Sequence, residues 1–242
     1  ARRAADGLRR DERAFVEYDL RNEDGIFGLG VGCDGMVRLL IEPLTAANQY
    51  EPLASTVDKL DLAGSADLPL PAHPEGTLTL NRVRLLRPGN VLLLGAGPDA
   101  PPLLQMIDAL GWNITVSDHR PHYIDVLQPP ASVVAHYCPA ESIAENIRLE
   151  GFDAAVIMSH NLASDRAYLE VLARSDIRFI GLLGPRHRRE RLLAELGEET
   201  AALLATRLRA PVGRPIGGRG PAAIALEIAA ELQEYVCSLE AA

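Results

Sequence analysis

The chain has 242 residues, 48% of them hydrophobic and 24% charged, which is typical of a folded globular protein. Its formal net charge of −9 argues against general binding to nucleic acids, and no apolar run is long enough to span a membrane. The three cysteines are too sparse for a disulfide scaffold and predict a reducing compartment. The charged N-terminus has no visible secretory signal and does not begin with Met, so we expect a fragment or a processed product.

The first part of the chain, residues 1–66, is predicted to be a small α+β domain. Alternating polar and apolar residues predict a strand at 14–20, and an apolar run predicts a buried strand at 36–41. Residues 45–62 follow as a short helix. The prolines and small residues that come next predict a linker at 67–89.

A cysteine flanked by glycines, in Gly32-Cys33-Asp34-Gly35, lies between two apolar runs of this first domain. Cys33 is either a reactive thiol or sulfur ligand of a cofactor, or a small buried residue beside a hairpin turn at Asp34-Gly35. From the residues alone we favour the hairpin turn, because a free cysteine usually behaves as a small hydrophobic side chain.

Residues 90–242 begin with the pattern of a dinucleotide-binding βαβ unit. An apolar strand over 91–94 runs into the turn Gly-Ala-Gly-Pro-Asp-Ala at 95–100, a helical apolar pattern follows, and a second strand stops at Asp118. A strand, a glycine turn, a helix and an acid about 20 residues further on make this pattern far more specific than the glycines alone.

Each small residue of the glycine turn has a predicted role. Gly95 permits the tight turn, Gly97 lets the backbone approach a pyrophosphate, and Ala100 allows close packing of helix on strand. Asp118 is placed to accept hydrogen bonds from ribose hydroxyls. The alternative is a turn that serves only helix–strand packing and binds no ligand.

Strand and helix patterns alternate through the rest of the chain, which predicts a Rossmann-like α/β domain: a parallel sheet with helices on both faces. The last helix has a long apolar face that is either core or a dimer seam. The predicted strands are 133–135, 154–158 and 179–183, and the predicted helices are 142–149, 165–174, 185–196, 198–208 and 221–239.

A cluster of arginines opens the helix that follows the strand at 179–183. Gly184 ends the strand, and Arg186, Arg188 and Arg189 follow at the helix N-terminus, where free N–H groups and guanidinium groups favour an anion such as phosphate. The alternative is a solvated helix face whose arginines pair with neighbouring glutamates.

Two further strand ends carry polar side chains that are suited to a ligand. His160 follows the strand at 154–158 and is predicted to bind ligand or to transfer protons, unless it only caps the next helix. Arg120 follows Asp118 in a turn that we interpret as ribose- or phosphate-binding, because the nearby histidines fit no zinc-site spacing.

Taken together, these motifs resemble the XdhC/CoxI family of xanthine dehydrogenase accessory factors. They occur in the family's order and cover nearly the whole chain. Two departures are visible: the family has a further N-terminal region with a second glycine–cysteine motif, and it often has His where Pro98 stands. The matching segments are GVGCDG at 30–35, IEPL at 41–44, LGAGPDA at 94–100, DHRP at 118–121, MSH at 158–160, GLLG at 181–184 with the arginines of 186–189, and APVG at 210–213 with IG at 216–217.

The resemblance implies a cytoplasmic, homodimeric accessory protein rather than a turnover enzyme. Such a protein binds molybdenum cofactor, as molybdopterin or its cytidine dinucleotide form, supports its sulfuration by a cysteine desulfurase, and delivers it to an apo-molybdoenzyme of the xanthine dehydrogenase type. Cys33 would lie near the molybdenum or its terminal sulfur. The residues expected to bind the cofactor are Cys33, Gly95, Gly97, Asp99, Asp118, Arg120, His160, Gly184, Arg186 and Arg188.

Two enzyme classes remain as alternatives. An NAD(P)-dependent oxidoreductase would use the glycine turn and Asp118, which favours NAD over NADP, but Lys59 is the only lysine and so a Tyr–Lys pair is nearly excluded. A cytidylyltransferase-like enzyme would use the arginine cluster, although the sequence shows no acidic pair for a metal.

Overall fold

The computed structural model describes residues 2–19, 36–71 and 81–240, and the chain divides into two compact units, Ala1–Arg87 and Pro88–Ala242. The glycine-flanked Cys33 lies outside the described residues, so its predicted turn and its predicted role remain predictions. Within the described ranges, no helix is long and apolar enough to cross a membrane.

The first unit contains two antiparallel strand pairs and two helices. Strand β1 pairs with β2, with Ala14 opposite Ile41, and β3 pairs with β4, with Ser65 opposite Leu86. The elements are α1 (Arg2–Arg10), β1 (Ala14–Asp19), β2 (Met36–Ile41), α2 (Leu53–Ala63), β3 (Ser65–Pro69) and β4 (Arg82–Leu86).

Two sequence predictions for this unit need correction. Strands β3 and β4 lie largely within the segment predicted as a linker, 67–89, because the prolines that predicted it fall at or beyond the end of β3 and leave the pairing free. Helix α2 begins at Leu53 rather than at 45, because turns occupy 46–52 and Pro52 precedes the first helical residue.

The second unit is built on a sheet of six parallel strands in the order β10-β9-β8-β5-β6-β7. This confirms the predicted Rossmann-like α/β fold. Its strands are β5 (Asn90–Leu94), β6 (Asn113–Asp118), β7 (Val133–Tyr137), β8 (Ala154–Ile157), β9 (Phe179–Leu182) and β10 (Leu208–Arg209). Its helices are α3 (Ala100–Ala109), α4 (Pro121–Val126), α5 (Ile143–Asn146), α6 (Leu162–Ala173), α7 (Arg186–Leu204) and α8 (Pro221–Glu240).

Helices cover both faces of this sheet, which explains why β5 is apolar at every position after Asn90. Val91 and Leu93 belong to a core with residues of α3 and α8, whereas Leu92 and Leu94 belong to a second core with residues of α6. The apolar face of α8 is therefore core, as Ile228 and Leu232 are fully buried in the first of these clusters. Helix α7 is interrupted at Gly197, whose φ of 82° is not helical, and this is the residue between the two helices predicted at 185–196 and 198–208.

Candidate functional site

The candidate site lies at the carboxyl ends of β5 and β8, where the order of the sheet reverses. Ligands of open α/β sheets bind in the crevice at this position, because the loops after the two central strands diverge to opposite faces. In this chain the crevice is bordered by the turn 95–99 after β5 and by residues 158–161 after β8. The glycine turn and His160, which the sequence singled out separately, are thus brought together.

Gly95 makes the predicted tight turn out of β5. Its φ is +127°, and its N–H donates to the carbonyl oxygen of Ser117 over 2.7 Å. A Cβ at this position would lie 2.4 Å from the carbonyl oxygen of Met158, so only glycine fits beside the end of β8.

The carboxylate of Asp118 is fully buried beneath the turn and is used by the protein itself. Its Oδ2 accepts from the N–H of Ala96 (2.7 Å) and from Nη2 of Arg120 (2.9 Å). Its Oδ1 accepts from the N–H (2.8 Å) and Nε (2.9 Å) of Arg120. The ribose-binding role predicted for Asp118 does not fit this geometry, because both oxygens already have protein donors and neither reaches the surface.

The protonation of Asp118 reflects the same contacts. Burial opposes the charged form, but the hydrogen bonds from Arg120 and Ala96 outweigh it, and the pKa of Asp118 lies below its ordinary value. The Arg120 guanidinium also stacks over the ring of Tyr123, with its central carbon 3.9 Å from the ring centroid. Arg120 is therefore held between a carboxylate and an aromatic ring, and its predicted ligand contact would have to share these partners.

His160 and Asp99 form a pair across the crevice, 2.9 Å from Nε2 to Oδ2. Asp99 is at the N-cap position of α3 but makes no capping hydrogen bond, and it is only 9% exposed. His160 has a left-handed backbone with φ +58° and a half-exposed side chain. The cap of α6 is instead Asn161, whose Oδ1 accepts from the N–H of Ser164 over 3.0 Å, so the interpretation of His160 as a helix cap is wrong.

Asp165 and Arg188 form a buried ion pair next to the loop 158–161, which the sequence patterns do not predict. The carboxylate of Asp165, 1% exposed, accepts from Nε (2.9 Å) and Nη2 (2.6 Å) of Arg188 and also from the hydroxyl of Ser159. Gly184 lies against the same arginine, since a Cβ there would be 2.8 Å from the Arg188 Cδ. The guanidinium of Arg188 is therefore paired with Asp165, and its predicted phosphate contact would have to share this partner.

The other members of the arginine cluster remain available. Arg186 and Arg189 are exposed, and neither side chain forms an ion pair within the described part of the chain. Of the neighbouring glutamates that could pair with these arginines, Glu195 pairs with Arg191 (2.8 Å) instead. Arg186 is the first residue of α7. Of the arginines of this cluster that are predicted to bind the cofactor, it is the one whose charge has no ion-pair partner among the described residues.

Comparison with known proteins decides the family. The model of the XdhC Rossmann domain matches residues 91–232, more than half of the chain. The chain belongs to the XdhC Rossmann-domain family. The resemblance drawn from the sequence motifs is thereby confirmed.

Relatives of this XdhC chain extend over most of its length. It is 27% identical to a probable xanthine dehydrogenase subunit of Bacillus subtilis (strain 168) over 254 residues, covering 90% of this chain and 75% of that protein. It is 31% identical to the protein YqeB of Escherichia coli (strain K12) over 149 residues, 61% of this chain and 27% of that protein. The fold matches a crystal structure of a xanthine dehydrogenase from Bacillus halodurans with a TM-score of 0.73 at 23% identity, covering 98% of this chain and 79% of that one.

Three buried polar atoms in the XdhC Rossmann unit have no hydrogen-bond partner among the described residues: Ser117 Oγ, His119 Nδ1 and Tyr168 OH. Ser117 and Tyr168 are fully buried, and burial raises the pKa of Tyr168. Ser117, near the end of β6, lies opposite Leu94 on the face of the sheet that α6 covers, and Tyr168 lies on α6. An aromatic residue on an apolar helix face is usually core, so no local pattern in the sequence predicts that the hydroxyl of Tyr168 is unpaired among the described residues.

The XdhC chain shows no metal site among its described residues, in the sense of three or more His, Cys, Asp or Glu side chains grouped together. Of the two cysteines described, Cys138 is buried and Cys237 is exposed. Burial raises the pKa of the Cys138 thiol, which disfavours the reactive thiolate.

Proposed function

We propose that this chain is an accessory factor of a xanthine dehydrogenase-type molybdoenzyme, which binds molybdenum cofactor and supports its sulfuration and insertion. The observation that carries the proposal is the XdhC Rossmann-domain match over residues 91–232. The name of the Bacillus subtilis relative, a probable xanthine dehydrogenase subunit, supports the same partner class. The apo-molybdoenzyme, a cysteine desulfurase and a second copy of this chain are the proposed partners.

The chemistry of the crevice fits such a cofactor, which combines a hydrogen-bonding ring with a phosphate. Asp99 and the backbone of Gly97 offer an acceptor and a donor to the cofactor, and Arg186 offers a positive charge, unpaired in the described ranges, for its phosphate. His160 contacts the Asp99 carboxylate through its Nε2 atom, and we propose that it belongs to the same site. When bound, the cofactor supplies the molybdenum centre of the target enzyme.

Cys33 is the proposed contact to the molybdenum or to its terminal sulfur, because a thiolate is a soft ligand. Its place in the first unit is outside the described residues, so the proposal for Cys33 rests on the sequence motif alone.

The nicotinamide alternative lacks the carboxylate on which it depended. A dinucleotide-binding unit uses the acid after its second strand for the ribose, and here both oxygens of Asp118 accept from Ala96 and Arg120. We therefore do not propose a nicotinamide-dependent oxidoreductase.

The functional test is activation of the target enzyme. The full chain is produced in a cell that makes molybdenum cofactor, its bound molybdenum is measured by mass spectrometry, and it is mixed with apo-xanthine dehydrogenase. Cys33→Ala should lower retained molybdenum and target activation at least about tenfold, since even outer contacts of metal sites are worth that much. Cys237→Ala, which alters an exposed cysteine, serves as the matched control and should behave as the wild type. Equal activation by both variants would rule out the role of Cys33, and no activation by the wild-type chain would contradict the function.

A further inference from the structure

The glycine turn of this chain offers few backbone N–H groups to an anion. Three of the seven residues at 96–102 are prolines and have no N–H. The N–H of Ala96 donates to Asp118 over 2.7 Å, and that of Ala100 donates to the Gly97 carbonyl over 2.9 Å. Only the N–H groups of Gly97 and Asp99 remain without a partner within the described residues.

A carboxylate already occupies the end of α3 where a Rossmann unit holds its pyrophosphate. Asp99 lies at the N-cap, where the helix dipole favours a negative charge, yet its side chain caps no N–H and is turned to His160 instead. A phosphate bound at this turn would face that carboxylate at close range in a poorly solvated site, where like charges repel strongly.

The donors and the acceptor that remain match a different kind of ligand group. A carboxylate oxygen beside backbone N–H groups is complementary to a ring edge that carries an amino or N–H donor next to a carbonyl or ring-nitrogen acceptor. Aminopyrimidine rings have such an edge, and both the pterin and the cytosine of the proposed cofactor are of this type.

We propose that the glycine turn at 95–99 binds the edge of an aminopyrimidine ring rather than a phosphate, with Asp99 as its acceptor. His160 is the positioning residue, because its Nε2 fixes the carboxylate of Asp99 from across the crevice. The left-handed backbone of His160 supports this assignment, since a non-glycine residue adopts it at a cost and such outliers cluster at ligand sites. The inference rests on the proposed function, which supplies the identity of the ring.

The test is calorimetric binding of three probes to the full chain: pterin, cytidine and inorganic pyrophosphate. At least one of the two uncharged ring compounds should bind, and the one that binds identifies the ring. Asp99→Asn should weaken that binding about ten- to a hundredfold, the value of a hydrogen bond to a charged group, and should leave pyrophosphate binding unchanged or tighter. Asp125→Asn, which neutralises an exposed acid on α4, should change neither.

His160→Asn is the second variant, because asparagine tolerates the left-handed backbone. It should weaken ring binding while pyrophosphate binding is kept, a change of selectivity that mere loss of stability does not produce. Ring binding that Asp99→Asn does not change, or pyrophosphate binding that the same variant weakens, would overturn the proposal.

If the chain retains molybdenum cofactor but binds neither pterin nor cytidine, this inference fails and the proposed function stands. If a ring binds through Asp99 but the cofactor does not, the proposed function fails instead.

Discussion

The buried carboxylate of Asp118 connects two loops of the candidate site. It joins the end of β6 to the turn after β5 through Ala96 and to the start of α4 through Arg120. A buried carboxylate is stable only when its oxygens are paired, and here both are. The side chain that the sequence identified as a ribose ligand is therefore a structural link between two loops of the site.

Replacing Asp118 with Asn should destabilise the protein at neutral pH by about 3 kcal/mol, because the guanidinium of Arg120 loses its buried partner. The pKa of Asp118 is lowered in the folded protein, so its stabilising contribution is complete above the unfolded pKa of about 4 and is lost as the pH falls through the folded value. The difference between wild type and variant should accordingly shrink in acid.

Urea unfolding of both proteins at pH 7 and in acid measures this difference. Asp125→Asn, on the surface of α4, is the control and should be neutral within about 0.5 kcal/mol. A variant of Asp118 as stable as the wild type at pH 7 would show that the link contributes nothing.

The elements around the crevice differ in how much of them the sequence predicts. The order β5, glycine turn, α3 and β6 is predicted correctly, because an apolar strand, a turn that requires glycine and a 3.6-residue pattern are all local signals. The pairs Asp99–His160 and Asp165–Arg188 are not predicted, since the partners lie 61 and 23 residues apart and meet only in the folded sheet. Nor does the sequence predict that Arg188 pairs with Asp165 while Arg186 remains exposed, because this depends on which face of α7 packs against α6.

Gly95→Ala tests the contact between the turn and the end of β8. The new Cβ would overlap the Met158 carbonyl, and the alanine would have to adopt a φ of +127°. We therefore expect the free energy of unfolding to fall by about 2 kcal/mol or more beyond the loss in a control variant. The control is Gly111→Ala, which has a φ of +74° and open space around the new Cβ, and should cost only about 1 kcal/mol. Denaturant midpoints compare the two, and equal losses would mean that the close approach at Gly95 is not required.

At the scale of the whole molecule, the charges are distributed unevenly. The chain is acidic, with a net charge of −9, yet the start of α7 exposes Arg186 and Arg189 beside the carboxyl end of β9. A local positive charge in an acidic protein attracts an anionic group to one place and leaves the rest of the surface indifferent to polyanions. We therefore expect the phosphate of a ligand at α7 and its ring at the turn after β5, an arrangement different from that of a nicotinamide dinucleotide.

Binding of the cofactor itself tests this most directly. Molybdenum cofactor released from a molybdoenzyme, and separately NADH, are added without oxygen to the full chain, and the shift of thermal unfolding is recorded. At a free concentration a hundredfold above its dissociation constant, a specific ligand stabilises the folded chain by about 2.7 kcal/mol. We predict such a stabilisation by the molybdenum cofactor and none by NADH. Stabilisation by NADH with no response to the cofactor would contradict the proposed function.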